Sequence, residues 1–474
     1  MNNVWKTTAL VAAMAALAGC DDDDKKSRST DRAVNPAADG RAQLRVVHAV
    51  ADAPGVNVLA NGSAVLSNVP YAVASGLLAV DPGTYSVQVD GILPGSTATV
   101  IGPADITLTD DDITSVLAVN TLAGIEPLIV TTPEISIASN EVRLTVVHGA
   151  AAAPEVDVYV TGPSDELDTP VGTFAFKETL GPVTVPAGSY RIRVTPAGSD
   201  TVVFDSGASG VALPGGADLF ITAIANTGPG ASPINLLVDN GEGSSVIRDA
   251  DTPAALKVVH AAPTVGDAEV FVSSPTLGLA DVELIDLISY LDIVPSADGS
   301  VEVTPATDYQ VKVSQANTGA GAALIDVAGV GLDAGQAYTV IATGGSNGED
   351  AQLLLTADDN RAIATEARVK VIHAAPDAGV VDVYVNAPGD VSNADILNGD
   401  ATPVLADFAF GEITEYLSLA AGDYRVRVVA ADGTLIAIDT TVTLTNGLVA
   451  SAIAVGPDAV DNDPAGFGLV LTTN

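Results

Sequence analysis

Cysteine is almost missing from this 474-residue chain: there is one, Cys20. No disulfide can form within the chain, so its fold has to rest on apolar burial. Basic residues are also scarce, with 19 Lys and Arg against 59 Asp and Glu, a formal net charge of −40. Phosphate backbones are bound by Lys and Arg, so this balance argues against nucleic acid as a partner. An acidic surface also repels anionic lipid headgroups. Aromatic residues are 4% of the chain, and the only tryptophan, Trp5, lies in the N-terminal leader. Flat platforms on which sugar rings stack are therefore few. After the leader no apolar run approaches the 18 residues that a membrane-spanning helix needs. No glycine-rich loop precedes a helix, which removes the usual phosphate cradle of nucleotide cofactors.

What is present is apolar. Hydrophobic residues make up 47% of the chain and charged residues 16%, a balance that implies a folded core. The N-terminus reads as a leader, residues 1–19. Lys6 supplies the positive start, residues 7–19 the apolar stretch, and Leu17, Ala18 and Gly19 precede Cys20. This resembles the bacterial lipobox, which implies that Cys20 becomes the lipidated N-terminus. The acidic residues 21–24 then open a polar segment, residues 20–42, that lacks periodicity and reads as a flexible tether. An acidic residue directly after the lipidated cysteine resembles the inner-membrane retention signal of enteric lipoproteins. The expected location is the bacterial cell envelope, with the periplasmic face of the inner membrane favoured over the outer membrane, and the membrane contact is the lipid.

The four histidines share one context: Leu-Arg-Val-Val-His48, Leu-Thr-Val-Val-His148, Leu-Lys-Val-Val-His260 and Val-Lys-Val-Ile-His373. Their spacings of 100, 112 and 113 residues define four repeats, 43–140, 141–253, 254–366 and 367–474. Strand side chains alternate, so each histidine shares a face with the apolar residues two and four positions before it. The position three before is polar: Arg45, Thr145, Lys257 and Lys370. A proline-containing turn follows (Pro54, Pro154, Pro263, Pro376), then a second strand. Nine residues after each histidine stands a polar group, Asn57, Asp157, Glu269 or Asp382. Mid-repeat, Tyr85, Tyr190, Tyr309 and Tyr424 open alternating strands whose tyrosine and valine or isoleucine side chains point inward. Two apolar strands close each unit. No convincing run of helical period occurs. The pattern predicts an all-β chain of four tandem immunoglobulin-like antiparallel β-sandwich domains, strung like beads.

A strand ending in Val-Val-His-Ala, a proline turn, Val-Asp-Val-Tyr-Val and then Ala-Gly-x-Tyr-x-Val-x-Val resembles the domain-of-unknown-function 4397 family. The resemblance covers the chain beyond residue 42 and is fullest in the second and fourth repeats, at residues 157–160 and 382–385. It implies tandem domains of secreted or lipid-anchored bacterial proteins. It implies no activity.

Candidate chemistry is thin. A zinc site needs three or four converging ligands, and each repeat offers one inward histidine with at most one carboxylate such as Asp157 or Asp382. His48, His148, His260 and His373, with the four tyrosines, are expected to be structural core. Residues 344–348 spell Gly-x-Ser-x-Gly, but another strand rather than a helix follows, so Ser346 reads as part of a hairpin loop. The acidic clusters at 110–112, 358–359 and 458–463 lack the ligand spacing of a calcium loop. No catalytic, metal or cofactor-binding residue is expected. The expected role is non-enzymatic: a lipid-anchored spacer or protein-interaction module with an envelope or extracellular protein partner. The alternative is a surface protein or adhesin that binds a glycan or calcium.

Overall fold

The computed structural model describes residues 40–473, apart from 297–298, 345–350, 431–432, 434 and 457–465. Cys20 and its leader lie outside the described residues, as do Ser346 and the acidic cluster at 458–463.

Each repeat folds into two facing sheets. In the first repeat the histidine strand Ala42–His48 lies inside one sheet, between the short Val73–Ala74 and Leu78–Val80 on one side and Asp112–Val119 on the other. Glu126–Pro133 closes that sheet. The facing sheet runs Ser63–Val69, Val56–Ala60, Gly83–Leu93, Ser96–Leu108. The same order recurs around the histidine strands Glu141–His148, Ala254–Ala261 and Ala367–Ala374. Valine, isoleucine and leucine on the inner faces meet between the sheets. In the first repeat Leu44, Val46, Val56, Val58, Val89 and Val116 form one buried cluster. The chain is an all-β array of sandwich domains.

Two features differ from the expected architecture. Each sandwich carries a parallel pair: Ala42–His48 runs parallel to Asp112–Val119, and the other histidine strands run parallel to Asp218–Ala225, Ala337–Thr343 and Val449–Val455. The chain crosses to the facing sheet and returns from the opposite end, and side-chain alternation carries no record of direction. A single turn and a half of α-helix, Asn393–Leu397, also interrupts the fourth repeat. Ser392 and Asp395 form its capping box, and its buried Ile396 packs with Tyr384 and Val429.

The larger correction concerns the beads. All residues of Ala42–His48 are buried, on both faces. Val47 and Leu117 of the first repeat share a cluster with Val147, Phe220, Ile224 and Leu237 of the second. Val259 and Ile341 of the third repeat meet Ile372 and Ile453 of the fourth, all four fully buried. The repeats therefore pack as two pairs, first with second and third with fourth, through the outer faces of the histidine sheets. The polar residue three before each histidine lies in these interfaces rather than in solvent. Arg45 Nε donates to Asp239 Oδ1 across the first pair at 2.8 Å, and its guanidinium lies 4.7 Å from the Phe220 ring. In the second pair Lys370 Nζ reaches back to Asp358 Oδ1 at 2.9 Å, while Lys257 Nζ donates to the Thr473 carbonyl. Thr145 is buried without an ionic partner in view. The pairs touch each other as well. Arg361, between the third and fourth repeats, donates to the carbonyls of Ala51 and Ala53 in the first, at 3.2 and 2.7 Å.

Candidate functional site

The histidines are 1–4% exposed. In the parallel register they stand beside alanines, Ala118, Ala223, Ala342 and Ala454, whose small side chains leave room for the ring. Each Nε2 lies in hydrogen-bond contact with the carbonyl six residues on: Pro54 at 3.0 Å, Pro154 at 3.0 Å, Gly266 at 2.6 Å and Gly379 at 2.8 Å. A carbonyl only accepts, so Nε2 carries the proton. Nδ1 is then an acceptor, and it receives the backbone N–H two residues on in three repeats, from Val50, Ala262 and Ala375 at 3.2–3.3 Å. In His148 the Nδ1 has no partner. The ring is thus a neutral staple across the turn that joins the first and second strands. Burial pushes His48 down to about 4 and also holds His260 and His373 below the ordinary histidine range.

A second layer covers each ring. Tyr71, Phe176, Tyr290 and Phe410 approach the imidazoles edge-on, with centroids 6.1–6.3 Å apart. The residue after each aromatic has left-handed backbone: Ala72, Lys177, Leu291 and Gly411, with φ of 61°, 72°, 69° and 82°. Its N–H donates to the histidine's own carbonyl at 2.8–3.0 Å. These aromatics were not anticipated from the sequence. They stand 23, 28, 30 and 37 residues after the histidine, so no fixed spacing marks them. The usable signal was local: an aromatic, one residue and then an acid in Phe176-Lys177-Glu178, Tyr290-Leu291-Asp292 and Phe410-Gly411-Glu412.

The recurring tyrosines sit at the mouths of the sandwiches. Tyr309 is buried and Tyr85, Tyr190 and Tyr424 are half-buried against their cores. Their hydroxyls donate to backbone carbonyls a few residues upstream, those of Asp81, Pro186, Thr304 and Ala420, at 2.7–3.0 Å. This is the tyrosine-corner arrangement, which fixes the entry to a strand. The polar groups nine after each histidine also serve the backbone. Asn57, Glu269 and Asp382 accept the N–H of Asn68, Thr318 and Asp407 at 2.9 Å. Asp157 accepts from the Gly198 N–H at 2.8 Å and from the Thr173 hydroxyl. Asp157 and Asp382, considered above as second ligands beside a histidine, are engaged in this way.

The acidic clusters within the described residues divide. Asp110 and Asp111 are exposed at a hairpin end, whereas Asp358 pairs with Lys370 and Asp359 with Arg368. Among the described residues no group of three or more His, Cys, Asp or Glu is arranged to hold a metal ion. None of the described helices is long and apolar enough to cross a membrane.

A family model described as a domain of unknown function, DUF4397, matches residues 42–159, 254–384 and 385–472. The chain belongs to this family. The first DUF4397 match stops at Tyr159, inside the second repeat, although residues beyond it build the same sheets and the same tyrosine corner. No curated protein matches the chain. Among solved structures the DUF4397 chain is similar to a streptococcal ancillary pilin, at 10% identity over 64% of this chain and 95% of that one, with a TM-score of 0.14.

Proposed function

We propose that this protein is a non-enzymatic, lipid-anchored component of the bacterial cell envelope that works as a spacer and protein-interaction module, held to the membrane by Cys20. One observation supports the reading above the others: the polar side chains that recur in the repeats serve the fold. The histidines staple turns, the tyrosines fix strand entries, and Arg45, Lys257 and Lys370 join repeat to repeat. Joined sandwiches make a stiff body that presents several surfaces at once, which suits repeated weak contacts. The acidic balance of 59 to 19 keeps such a surface soluble and selects against anionic partners.

Two measurements test this. In the native bacterium, labelled fatty acid is expected in the wild-type protein and absent from a Cys20→Ala variant. Cross-linking in intact cells should then recover a defined envelope or extracellular protein with the wild type. Label retained by the Cys20→Ala variant, or absent from the wild type, would overturn the anchoring half of the proposal, and failure to recover a defined protein with the wild type would overturn the interaction half.

A further inference from the structure

Where the first, second and third repeats meet the segment leading into the fourth, they enclose a cleft of about 270 Å³. The gaps inside the sandwiches are far smaller, about 20–80 Å³, and almost wholly apolar. This cleft differs in chemistry as well as size. Its polar walls come from Tyr71, Asn226, Arg248, Gln336, Asn360 and Arg361.

Most of those walls are held from behind. The Tyr71 hydroxyl donates to the Ala225 carbonyl at 2.6 Å. The Asn226 amide donates to the Ser232 carbonyl at 3.0 Å, and its oxygen accepts from Gly228 N–H at 3.0 Å. Gln336 Nε2 donates to the carbonyls of Ala337 and Asp358 at 2.8 and 2.7 Å, which leaves its amide oxygen as an acceptor. Arg361 is anchored by two carbonyls of the first repeat and lies 5.4 Å from the Tyr71 ring. Asp358 and Asp359 also line the cleft: Asp358 is buried against Lys370, while Asp359, half-exposed, pairs with Arg368 and accepts the Arg361 backbone N–H.

Arg248 is different. Among the described residues it is the cation that forms neither a hydrogen bond nor an ion pair, in a chain where carboxylates outnumber cations threefold. It is exposed, and its stem rests on Gly335: a Cβ there would come within 2.4 Å of Arg248 Nε, at a φ of +74° that disfavours side chains anyway. The glycine thus sets the guanidinium on the cleft rim. With both carboxylates of the lining engaged by other cations, the unpaired Arg248 guanidinium leaves the rim locally positive on an acidic molecule, and the planar fork of arginine matches an oxyanion with two parallel hydrogen bonds.

We propose that this cleft binds a small hydroxylated oxyanion of the sugar-acid class, with Arg248 taking the charge and Gln336 and Asn360 meeting hydroxyls. The volume lies near the lower end of ligand pockets, which limits the occupant to about one sugar ring. The proposal does not depend on anchoring or on a protein partner.

Calorimetry on the purified full-length protein tests it, with sodium glucuronate, inorganic phosphate and glucose at matched ionic strength. Saturable binding of glucuronate is expected, with none for glucose. Arg248→Met should weaken glucuronate at least tenfold and leave the melting temperature unchanged, because the side chain is exposed and unpaired. Arg248→Lys, which keeps the charge and loses the fork, should fall between. Phosphate binding as tightly as glucuronate would overturn the roles of Gln336 and Asn360 and leave a bare anion site. Absence of saturable binding for both anions, or equal glucuronate affinity in Arg248→Met, would overturn the site itself.

Discussion

A histidine whose Nε2 donates to a carbonyl and whose Nδ1 accepts an amide N–H has no place for a second proton. His48 is in that position, and burial holds it near 4 against about 6.5 in an unfolded chain. Its folded-state value is depressed, so its stabilising contribution is complete above pH 6.5. The contribution is lost as pH falls from 6.5 to 4, because the unfolded chain takes up a proton that the native state refuses. That gap of about 2.5 pH units corresponds to about 3 kcal/mol. Urea denaturation across this range should show the loss, and His48→Gln should flatten it. At neutral pH, His373→Ala is expected to lower stability by about 1–3 kcal/mol through two lost buried hydrogen bonds. Unchanged stability in His373→Ala would show that the turn holds without its staple. Tyr424→Phe removes only the hydroxyl bond to Ala420, and a loss of about 1 kcal/mol is expected in the same assay.

At the scale of the element, the left-handed residue beneath each histidine offers an internal comparison. The fourth repeat has Gly411 there, whereas the third has Leu291 at φ 69°, 40% exposed. A leucine in this conformation is strained where glycine is not, although glycine loses more chain entropy on folding. Leu291→Gly is therefore expected to stabilise by about 0.5–1 kcal/mol, and Gly411→Leu to destabilise by at least as much, both read from denaturation midpoints. The strands themselves were legible in the sequence, because period-two alternation places Leu44, Val46 and His48 on one inner face and Tyr85, Val87 and Val89 on another. The cover of the opposite face was also written there. Val47, Val147, Val259 and Ile372 stand just before the histidines, on the face that also carries Arg45, Thr145, Lys257 and Lys370. An apolar residue in every copy of an outward position is the mark of a strand buried on both sides. The polar neighbour two residues earlier obscured it. Strand direction was not legible, since alternation is the same either way, and the aromatic covers follow no constant spacing, their local aromatic-x-acid pattern failing in the first repeat at Tyr71-Ala72-Val73.

For the whole molecule, the paired interfaces set the units of unfolding. Arg45 and Asp239 are 3% and 1% exposed, so removing one partner strands a buried charge. Asp239→Ala should cost about 3–5 kcal/mol, whereas replacing both residues by apolar ones of similar volume should cost far less. A double-mutant comparison of denaturation midpoints decides between these. Ile453→Asp should uncouple the third and fourth repeats, while Val47, Leu117 and Val147 of the other pair keep their contacts. Two independent transitions are then expected to shift separately under the two kinds of substitution.

The aromatic covers of the histidines carry one more consequence. Tyr71 donates its hydroxyl to Ala225, and Tyr290 donates to Gly456, so odd-numbered repeats reach into their successors. The even-numbered repeats carry Phe176 and Phe410 at the same place and have no hydroxyl to offer. Such an array can gain or lose length by even steps alone: a chain shortened by a single repeat would leave one histidine sheet bare, an apolar surface seeking a second molecule, whereas excision of residues 254–474 or duplication of a whole pair would leave none.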